Sequence, residues 1–110
     1  MTNVVIVNAK RSAIGKFLGS LSGLSSVDLG SSVVNSLIDS LKISKSEIDE
    51  LIMGQVLTGG HGQNPARQTM MLSEIPYEKS AITINQVCGS GLRAITIGAQ
   101  SILSGQSEIV

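Results

Sequence analysis

Hydrophobic positions in this chain occur either as continuous runs or at helical spacing. The continuous runs are "NVVIVNA" (3–9), "ELIMGQVL" (50–57) and "SAITINQV" (80–87). Unbroken runs rich in β-branched and aliphatic residues are typical of strands buried on both faces of a largely parallel sheet. Because helical patterns separate the runs, the sequence predicts an α/β layered fold.

Two helices are predicted between these strands from their start signals. Ser25-x-x-Asp28 has the form of a capping box, and Pro65 suits the first turn of a helix that ends near Leu72. After the capping box, apolar residues follow at the i, i+3, i+4, i+7 spacing of an amphipathic helix. These residues are Val34, Leu37, Ile38 and Leu41.

A third helix, over about 89–104, carries a stripe of small residues beside an apolar stripe. The small residues are Gly91, Ala94, Gly98 and Ser101. The apolar stripe consists of Leu92, Ile95, Ala99, Ile102 and Leu103. Small side chains let two helix axes approach to the short end of the roughly 8–10 Å packing range. We therefore expect this helix to be central and covered on most sides.

Composition and charge exclude several classes of partner. Apolar residues make up 42% of the chain and aromatic residues only 2%, so the core must be aliphatic. Eight basic and eight acidic side chains cancel, which removes the usual electrostatic case for a nucleic-acid partner or an anionic membrane surface. One cysteine cannot form an internal disulfide, and no long apolar stretch occurs. A reducing, cytoplasmic setting is expected.

The end of the chain predicts an incomplete domain. "SGQSEIV" places turn residues before Ile109 and Val110, as at the start of a new strand. We expect residues 1–110 to be the N-terminal part of a longer protein.

The single cysteine, Cys88, has two interpretations. Free cysteine is among the most buried residue types and often behaves as a small hydrophobe. Here, however, Cys88 lies between a predicted strand and a predicted helix, in "INQVCGSGLRA" (84–94). A helix N-terminus favours the thiolate, which is the nucleophilic form, and free amides there could stabilise an oxyanion. Both interpretations stay open at this point.

The same segment also matches a dinucleotide-binding fingerprint. "GSGLRA" (89–94) has the form G-x-G-x-x-A directly after a strand and at the start of a helix. That fold also needs an acidic residue at the far end of the next strand. Glu108 is the acid nearest that spacing, but it precedes the predicted strand. A nucleotide-binding module is therefore the rival hypothesis.

Four further polar residues are weaker candidates. His61, the only histidine, lies in the loop "GGHGQNP" and is the only local candidate for a base. Arg67 is either a contact to a substrate phosphate or a cation on a helix surface or interface. Lys10 and Arg11 follow the first predicted strand and are interpreted as solvated.

The chain resembles the thiolase family, and in particular its acetyl-CoA acetyltransferases. The matching stretches are "NAKRSAIGKFLGSL", "VDLG", "GQVLTGGHGQNPARQ" and "INQVCGSGLRAI". The resemblance implies an αβαβα fold of two similar halves, each with a mixed sheet, whose two central helices pack together. On this basis residues 1–110 are most of the N-terminal half, and the domain is incomplete at its C-terminal end.

The resemblance also implies chemistry. Cys88 would be the acyl-accepting nucleophile of an enzyme that condenses two acetyl-CoA molecules to acetoacetyl-CoA or runs the reverse thiolysis. Its backbone N–H would contribute to an oxyanion hole. Coenzyme A thioesters would be substrates, with no permanently bound cofactor and no metal. The full-length enzyme would be a homo-oligomer, a dimer or a tetramer.

The chain departs from the family in extent. The activating histidine, the second cysteine and the asparagine-bearing motif of thiolases lie in the C-terminal half, and His61 matches none of them. The residues that bind coenzyme A are unknown, and a longer-chain 3-ketoacyl-CoA thiolase remains an alternative. The 110 residues alone are expected to be inactive, and a non-catalytic fragment is a further alternative.

Overall fold

The computed structural model describes residues 3–110. Helix α1 spans Ser26–Leu41, strand β1 spans Glu50–Gly54, helix α2 spans Pro65–Leu72, strand β2 spans Ser80–Ile84 and helix α3 spans Ser90–Leu103. A single 3-10 turn, Lys45–Glu47, lies between α1 and β1. The predicted helices are confirmed, and the second and third predicted strands are confirmed in shortened form.

Local side-chain chemistry explains where α1 and α2 begin. The Ser25 hydroxyl accepts a hydrogen bond from the Asp28 amide, and the Asp28 carboxylate accepts one from the Ser25 amide, which completes the predicted capping box. Asn64 caps α2 through a bond from the Arg67 amide to Asn64 Oδ1, and Pro65 takes the first helical position. The start of α1 therefore depends on residues adjacent in sequence. The Asn64 cap of α2 is also bonded to β2, because Thr83 Oγ1 donates to Asn64 Oδ1 at 2.7 Å.

Strands β1 and β2 form a two-stranded parallel sheet, in register from the Glu50–Ser80 pair to the Gly54–Ile84 pair. Helix α2 provides the crossover between them. Because side chains alternate along a strand, Leu51 faces one layer of helices and Gly54 the other. Helix α2 covers the first face, with α1 packed against α2, and α3 covers the second face.

The core lies between the sheet and the layer of α1 and α2. It is aliphatic, as the composition predicts, and its buried members are Ile38, Ile48, Met70 and Ile75. Partly buried aliphatic side chains from α1, both strands and the end of the chain pack around them.

The predicted first strand over residues 3–9 is wrong for this chain. Residues 3–9 form no strand, and Val5, Ile6 and Val7 are 69%, 73% and 69% exposed. A strand is defined by its ladder of backbone hydrogen bonds, and within residues 3–110 no backbone bond joins this segment to β1 or β2. The sequence pattern is that of a buried strand, but the described chain supplies no neighbour for it.

The expectation that α3 is covered on most sides is also not met within the described residues. Gly98 and Ser101 are buried, but Leu92, Ile95 and Leu103 are 72%, 54% and 61% exposed. Of the small-residue stripe, Gly91 is exposed, whereas Gly98 and Ser101 contact other parts of the chain. A Cβ added at Gly98 would lie 3.1 Å from Val110 Cγ1, and the Ser101 hydroxyl donates to Glu50 Oε2 at 3.1 Å.

Candidate active site

Cys88 lies in the turn between the end of β2 and the start of α3. Ile84 is the last residue of β2, and α3 begins at Ser90. The thiol is free and exposed, so the interpretation of Cys88 as a buried hydrophobe is wrong for the described chain. The predicted placement between a strand and a helix is confirmed.

Short hydrogen bonds close this turn around the cysteine. The Gly89 amide donates to the Gln86 carbonyl at 3.0 Å, and the Ser90 amide donates to the Val87 carbonyl at 3.1 Å. The Ser90 hydroxyl also donates to the Val87 carbonyl at 2.6 Å and accepts from the Gln86 amide at 2.9 Å. The backbone on both sides of Cys88 is therefore held in place.

Val87, directly before Cys88, has left-handed backbone geometry with φ of 48°. For a β-branched residue this is an unusual conformation, and it costs about 1–3 kcal/mol. Asn85 helps to hold it, because Asn85 Oδ1 accepts from the Val87 amide at 2.8 Å. Asn85 Nδ2 in turn donates to the Val56 carbonyl at 3.0 Å, which ties the turn to the segment after β1.

The backbone amide of Cys88 differs from its neighbours in its hydrogen bonding. Within residues 3–110 it donates to no protein acceptor, whereas the amides of Gly89 and Ser90 are both used inside the turn. An unpaired N–H at the start of a helix can donate to an anion, and the helix dipole adds to that attraction. An exposed thiol and an unpaired backbone N–H thus belong to the same residue.

The turn does not fit the dinucleotide-binding fingerprint. In that motif the first glycine makes the tight turn between strand and helix. Here Gly89 has a negative φ of −85°, and the left-handed residue is Val87. Glu108, the candidate acid, donates its backbone amide to Asp49 Oδ2 near the start of β1. The rival hypothesis therefore loses its geometric support.

His61 does not approach Cys88 through any hydrogen bond in the described chain. It is half-buried in the loop before α2, where its amide donates to the Thr58 carbonyl at 3.1 Å. Its own carbonyl accepts from Gln68 Nε2 at 2.6 Å. The loop is thus held by its backbone, and the structure gives His61 no role as a base for the thiol.

Arg67 is bound within the fold and is not a free surface cation. Its guanidinium donates to the carbonyl of Lys79 at 2.9 Å and to that of Tyr77 at 2.6 Å. It therefore clamps the segment before β2 onto α2. Lys10 and Arg11 are exposed and make no ion pair within residues 3–110, in agreement with the solvated interpretation.

An open groove of about 410 Å³ lies beside the cysteine turn. Asn85 lines it from the turn, and Gln55, Thr58 and Asn64 line it from the loops that follow β1. Cys88 itself does not line the groove.

No group of three or more His, Cys, Asp or Glu side chains within residues 3–110 is arranged to hold a metal ion. In the same part of the chain, no helix has the length and apolar character needed to cross a bilayer.

Sequence analysis did not single out three residues that shape this turn, namely Asn85, Val87 and Ser90. Asn85 and Ser90 lie within the quoted motif, but their side-chain bonds depend on the path of the turn. The β-branched Val87 gave the opposite signal, since such residues favour extended backbone.

Comparison with known proteins identifies the family. Residues 4–110 match the family model described as "Thiolase, N-terminal domain". The chain is 51% identical over 108 residues to an acetyl-CoA acetyltransferase from Allochromatium vinosum, covering 98% of this chain and 27% of that protein. It is 52% identical over 110 residues to a probable acetyl-CoA acetyltransferase of Escherichia coli (strain K12), covering 100% of this chain and 28% of that protein.

A solved structure confirms the predicted fold. A thiolase from Ascaris suum, crystallised in complex with coenzyme A, superposes with a TM-score of 0.83 and 44% sequence identity. The match covers 84% of this chain and 24% of that one. The chain thus spans roughly a quarter of the length of the proteins it matches. Together these findings show that the chain belongs to the thiolase family and is an N-terminal portion of it.

Proposed function

We propose that residues 1–110 belong to an acetyl-CoA acetyltransferase in which Cys88 is the acyl-accepting nucleophile. The observation that carries the proposal is the exposed Cys88 thiol beside its own unpaired amide, at the start of α3, in a chain of the thiolase family. Relatives that cover 98% and 100% of this chain are named acetyl-CoA acetyltransferases, and the Ascaris suum thiolase was crystallised in complex with coenzyme A.

The proposed reaction has two steps. In the first, the Cys88 thiolate attacks the carbonyl carbon of acetyl-CoA, a new carbon–sulfur bond forms, and coenzyme A leaves as a thiolate. In the second, the methyl group of another acetyl-CoA loses a proton to a base, and the resulting carbanion attacks the acetyl-cysteine carbonyl. The carbon–sulfur bond to Cys88 breaks and acetoacetyl-CoA is released. A thiolate serves both steps because it attacks and leaves readily.

The Cys88 amide has a defined part in this scheme. Both steps pass through a tetrahedral oxyanion on the former carbonyl oxygen, and a fixed N–H donor close to that oxygen lowers the barrier. Because Val87 and Ser90 hold the backbone on either side of Cys88, this donor needs no reorganisation during the reaction. The base and the remaining donors are proposed to come from the rest of the longer enzyme.

The proposal extends to the setting of the enzyme. Coenzyme A thioesters are its proposed substrates, with no permanent cofactor. Because an exposed free thiol persists best in a reducing compartment, we place the enzyme in the cytoplasm.

We further propose that the intact enzyme is a homo-oligomer, a dimer or a tetramer, and light scattering on the intact enzyme would test this. A longer-chain 3-ketoacyl-CoA thiolase would use the same cysteine chemistry, so acyl-CoA substrates of increasing length separate the two activities.

Alkylation and substitution of the cysteine test the proposal. We expect iodoacetamide to modify Cys88 of the intact enzyme rapidly near neutral pH, and acetyl-CoA to protect it. Incubation with acetyl-CoA alone should leave an acetyl group on the peptide that contains Cys88, detected by mass spectrometry. Cys88→Ser should abolish this adduct without loss of folding. Alkylation that occurs only after denaturation, or an adduct on another residue, would contradict the proposal.

A further inference from the structure

Ser90 is a buried polar residue at the base of the cysteine turn. It is only 4% exposed, and both hydrogen bonds of its hydroxyl go to the backbone before Cys88. The hydroxyl donates to the Val87 carbonyl at 2.6 Å and accepts from the Gln86 amide at 2.9 Å. Because one side chain satisfies both groups, the position of Ser90 determines the path of the backbone that carries Cys88.

Ser90 packs directly against Gly54, the last residue of β1. A Cβ added at Gly54 would lie 2.5 Å from the carbonyl carbon of Ser90, 2.7 Å from its Cβ and 2.7 Å from the Gly91 amide nitrogen. Real Cβ atoms do not approach backbone this closely, so any side chain at Gly54 would force the first turn of α3 away from the sheet. Glycine is needed here because of the close backbone approach.

These contacts connect the sheet to the cysteine turn in three steps. Gly54 sets the distance between β1 and α3, Ser90 rests on Gly54, and the Ser90 hydroxyl holds Val87. Left-handed geometry at a β-branched residue persists only when the surroundings impose it. Removal of the Ser90 hydroxyl would leave only the bond from the Val87 amide to Asn85 and the bond from the Ser90 amide to the Val87 carbonyl to hold this geometry. Val87 could then relax toward extended backbone, and the thiol and amide of Cys88 would turn with it.

We propose that Ser90, seated on Gly54, is a positioning residue that keeps the thiol and the amide of Cys88 in their reactive orientation. This inference rests on the proposed function, since it assigns Ser90 a role only through Cys88. Ser90 itself does not touch the substrate. Its contribution is to make the strained turn the only accessible conformation before the substrate arrives.

The test is Ser90→Ala in the intact enzyme, with Ser101→Ala as the matched control. Ser101 is also buried on α3, at 8% exposure, and its hydroxyl also makes two side-chain bonds, to Glu50 and Ser107, far along the helix from Cys88. Misplacement of a reacting group by about 1 Å can lower the rate on the order of 100-fold. We therefore expect Ser90→Ala to lower kcat on the order of 10- to 100-fold, with KM for acetyl-CoA little changed.

Two further readouts separate positioning from a general loss of structure. The rate of iodoacetamide alkylation of Cys88 should fall in Ser90→Ala but not in Ser101→Ala, while the two melting temperatures fall by similar amounts. Ser90→Thr keeps the hydroxyl and should react faster than Ser90→Ala. Equal kcat and alkylation rates in the two alanine variants would overturn the inference, and so would a Ser90→Ala enzyme that does not fold.

The outcome for Cys88→Ser distinguishes this inference from the proposed function. If Cys88→Ser still transfers acetyl groups, the proposed function fails and the role of Ser90 fails with it. If Cys88→Ser is inactive but Ser90→Ala behaves like Ser101→Ala, only the positioning role is lost.

Discussion

Single residues near Cys88 have conformations that only their neighbours explain. Val87 follows an extended run of β-branched residues, and its intrinsic preference is to continue that run. Instead it takes left-handed geometry because Asn85 binds its amide and Ser90 binds its carbonyl. The dinucleotide-binding fingerprint would place the tight turn at Gly89, yet Gly89 has an ordinary negative φ.

Asp49 gives a prediction at the residue scale. Its carboxylate accepts hydrogen bonds from the amides of Glu108 and Ile109 and from Lys79 Nζ, at 2.8, 3.2 and 3.2 Å. The two backbone bonds, followed by the bond from Lys79, lower the pKa of Asp49 below its ordinary value of 3.8. A lowered pKa in the folded state means that the ionised carboxylate stabilises the fold above the ordinary value. This stabilisation is lost as pH falls through the folded pKa.

We therefore expect Asp49→Asn to lower the free energy of unfolding at neutral pH. The difference from the unsubstituted protein should shrink as pH falls below 3.8. Urea denaturation of both proteins at several pH values measures this difference. Asp39→Asn is the control, because the exposed Asp39 carboxylate accepts no hydrogen bond within residues 3–110. A difference that is the same at every pH would show that the charge of Asp49 is not involved.

At the scale of single elements, α2 shows how tertiary packing distinguishes neighbours of the same type. Met70 is completely buried in the core between α2 and the sheet, whereas the adjacent Met71 is 38% exposed. The sequence "PARQTMML" predicts a helix, but it does not identify which methionine faces the core. The sheet decides this, because α2 packs on both β1 and β2.

The two methionines of α2 make a matched pair for measurement. Met70→Ala removes a fully buried side chain and should cost about 2–5 kcal/mol of unfolding free energy, through lost burial and the cavity that remains. Met71→Ala makes the same chemical change with the same gain in helix propensity, but it should cost much less. Chemical denaturation of both variants of the intact enzyme tests this. Similar losses for the two variants would mean that α2 is rotated relative to its described position.

At the scale of the whole molecule, much apolar surface is left uncovered. Phe17, Ile14 and Leu18 are 94%, 83% and 78% exposed in the connection before α1, and α3 exposes Leu92, Ile95 and Leu103. Monomeric proteins rarely expose large contiguous apolar patches, and such patches promote association. The exposed segment over residues 3–9 adds to this surface.

We expect residues 1–110, produced alone, to associate or to be loosely packed. Light scattering would report the association, and a calorimetric scan would report the packing. Leu92→Glu should reduce association because it places a charge on the exposed face of α3, whereas Ser32→Glu on the exposed side of α1 should not. A monomer with a sharp, cooperative unfolding transition would contradict this prediction.

The sequence by itself determined the features that depend on local chemistry. Capping and proline geometry predict the helix starts at Ser25 and Pro65. Hydrophobic periodicity predicts the extents of the helices and the position of Cys88 between strand and helix. Each of these signals involves residues only a few positions apart, although the Asn64 cap of α2 is also bonded to Thr83 of β2. The same is true of the aliphatic core, which the near absence of aromatic residues requires. Family motifs around Cys88 then pointed to the candidate site.

Only the tertiary structure decided which surfaces meet. Residues 3–9 have the composition of a buried strand but find no ladder partner in the described chain, because strand formation needs a second segment brought from elsewhere. The same reason applies to Arg67, whose clamp on Tyr77 and Lys79 joins two elements, and to Gly54, whose missing side chain matters only once α3 lies against it. Long-range contacts of this kind depend on the path of the whole backbone, and that path cannot be predicted from a few neighbouring residues.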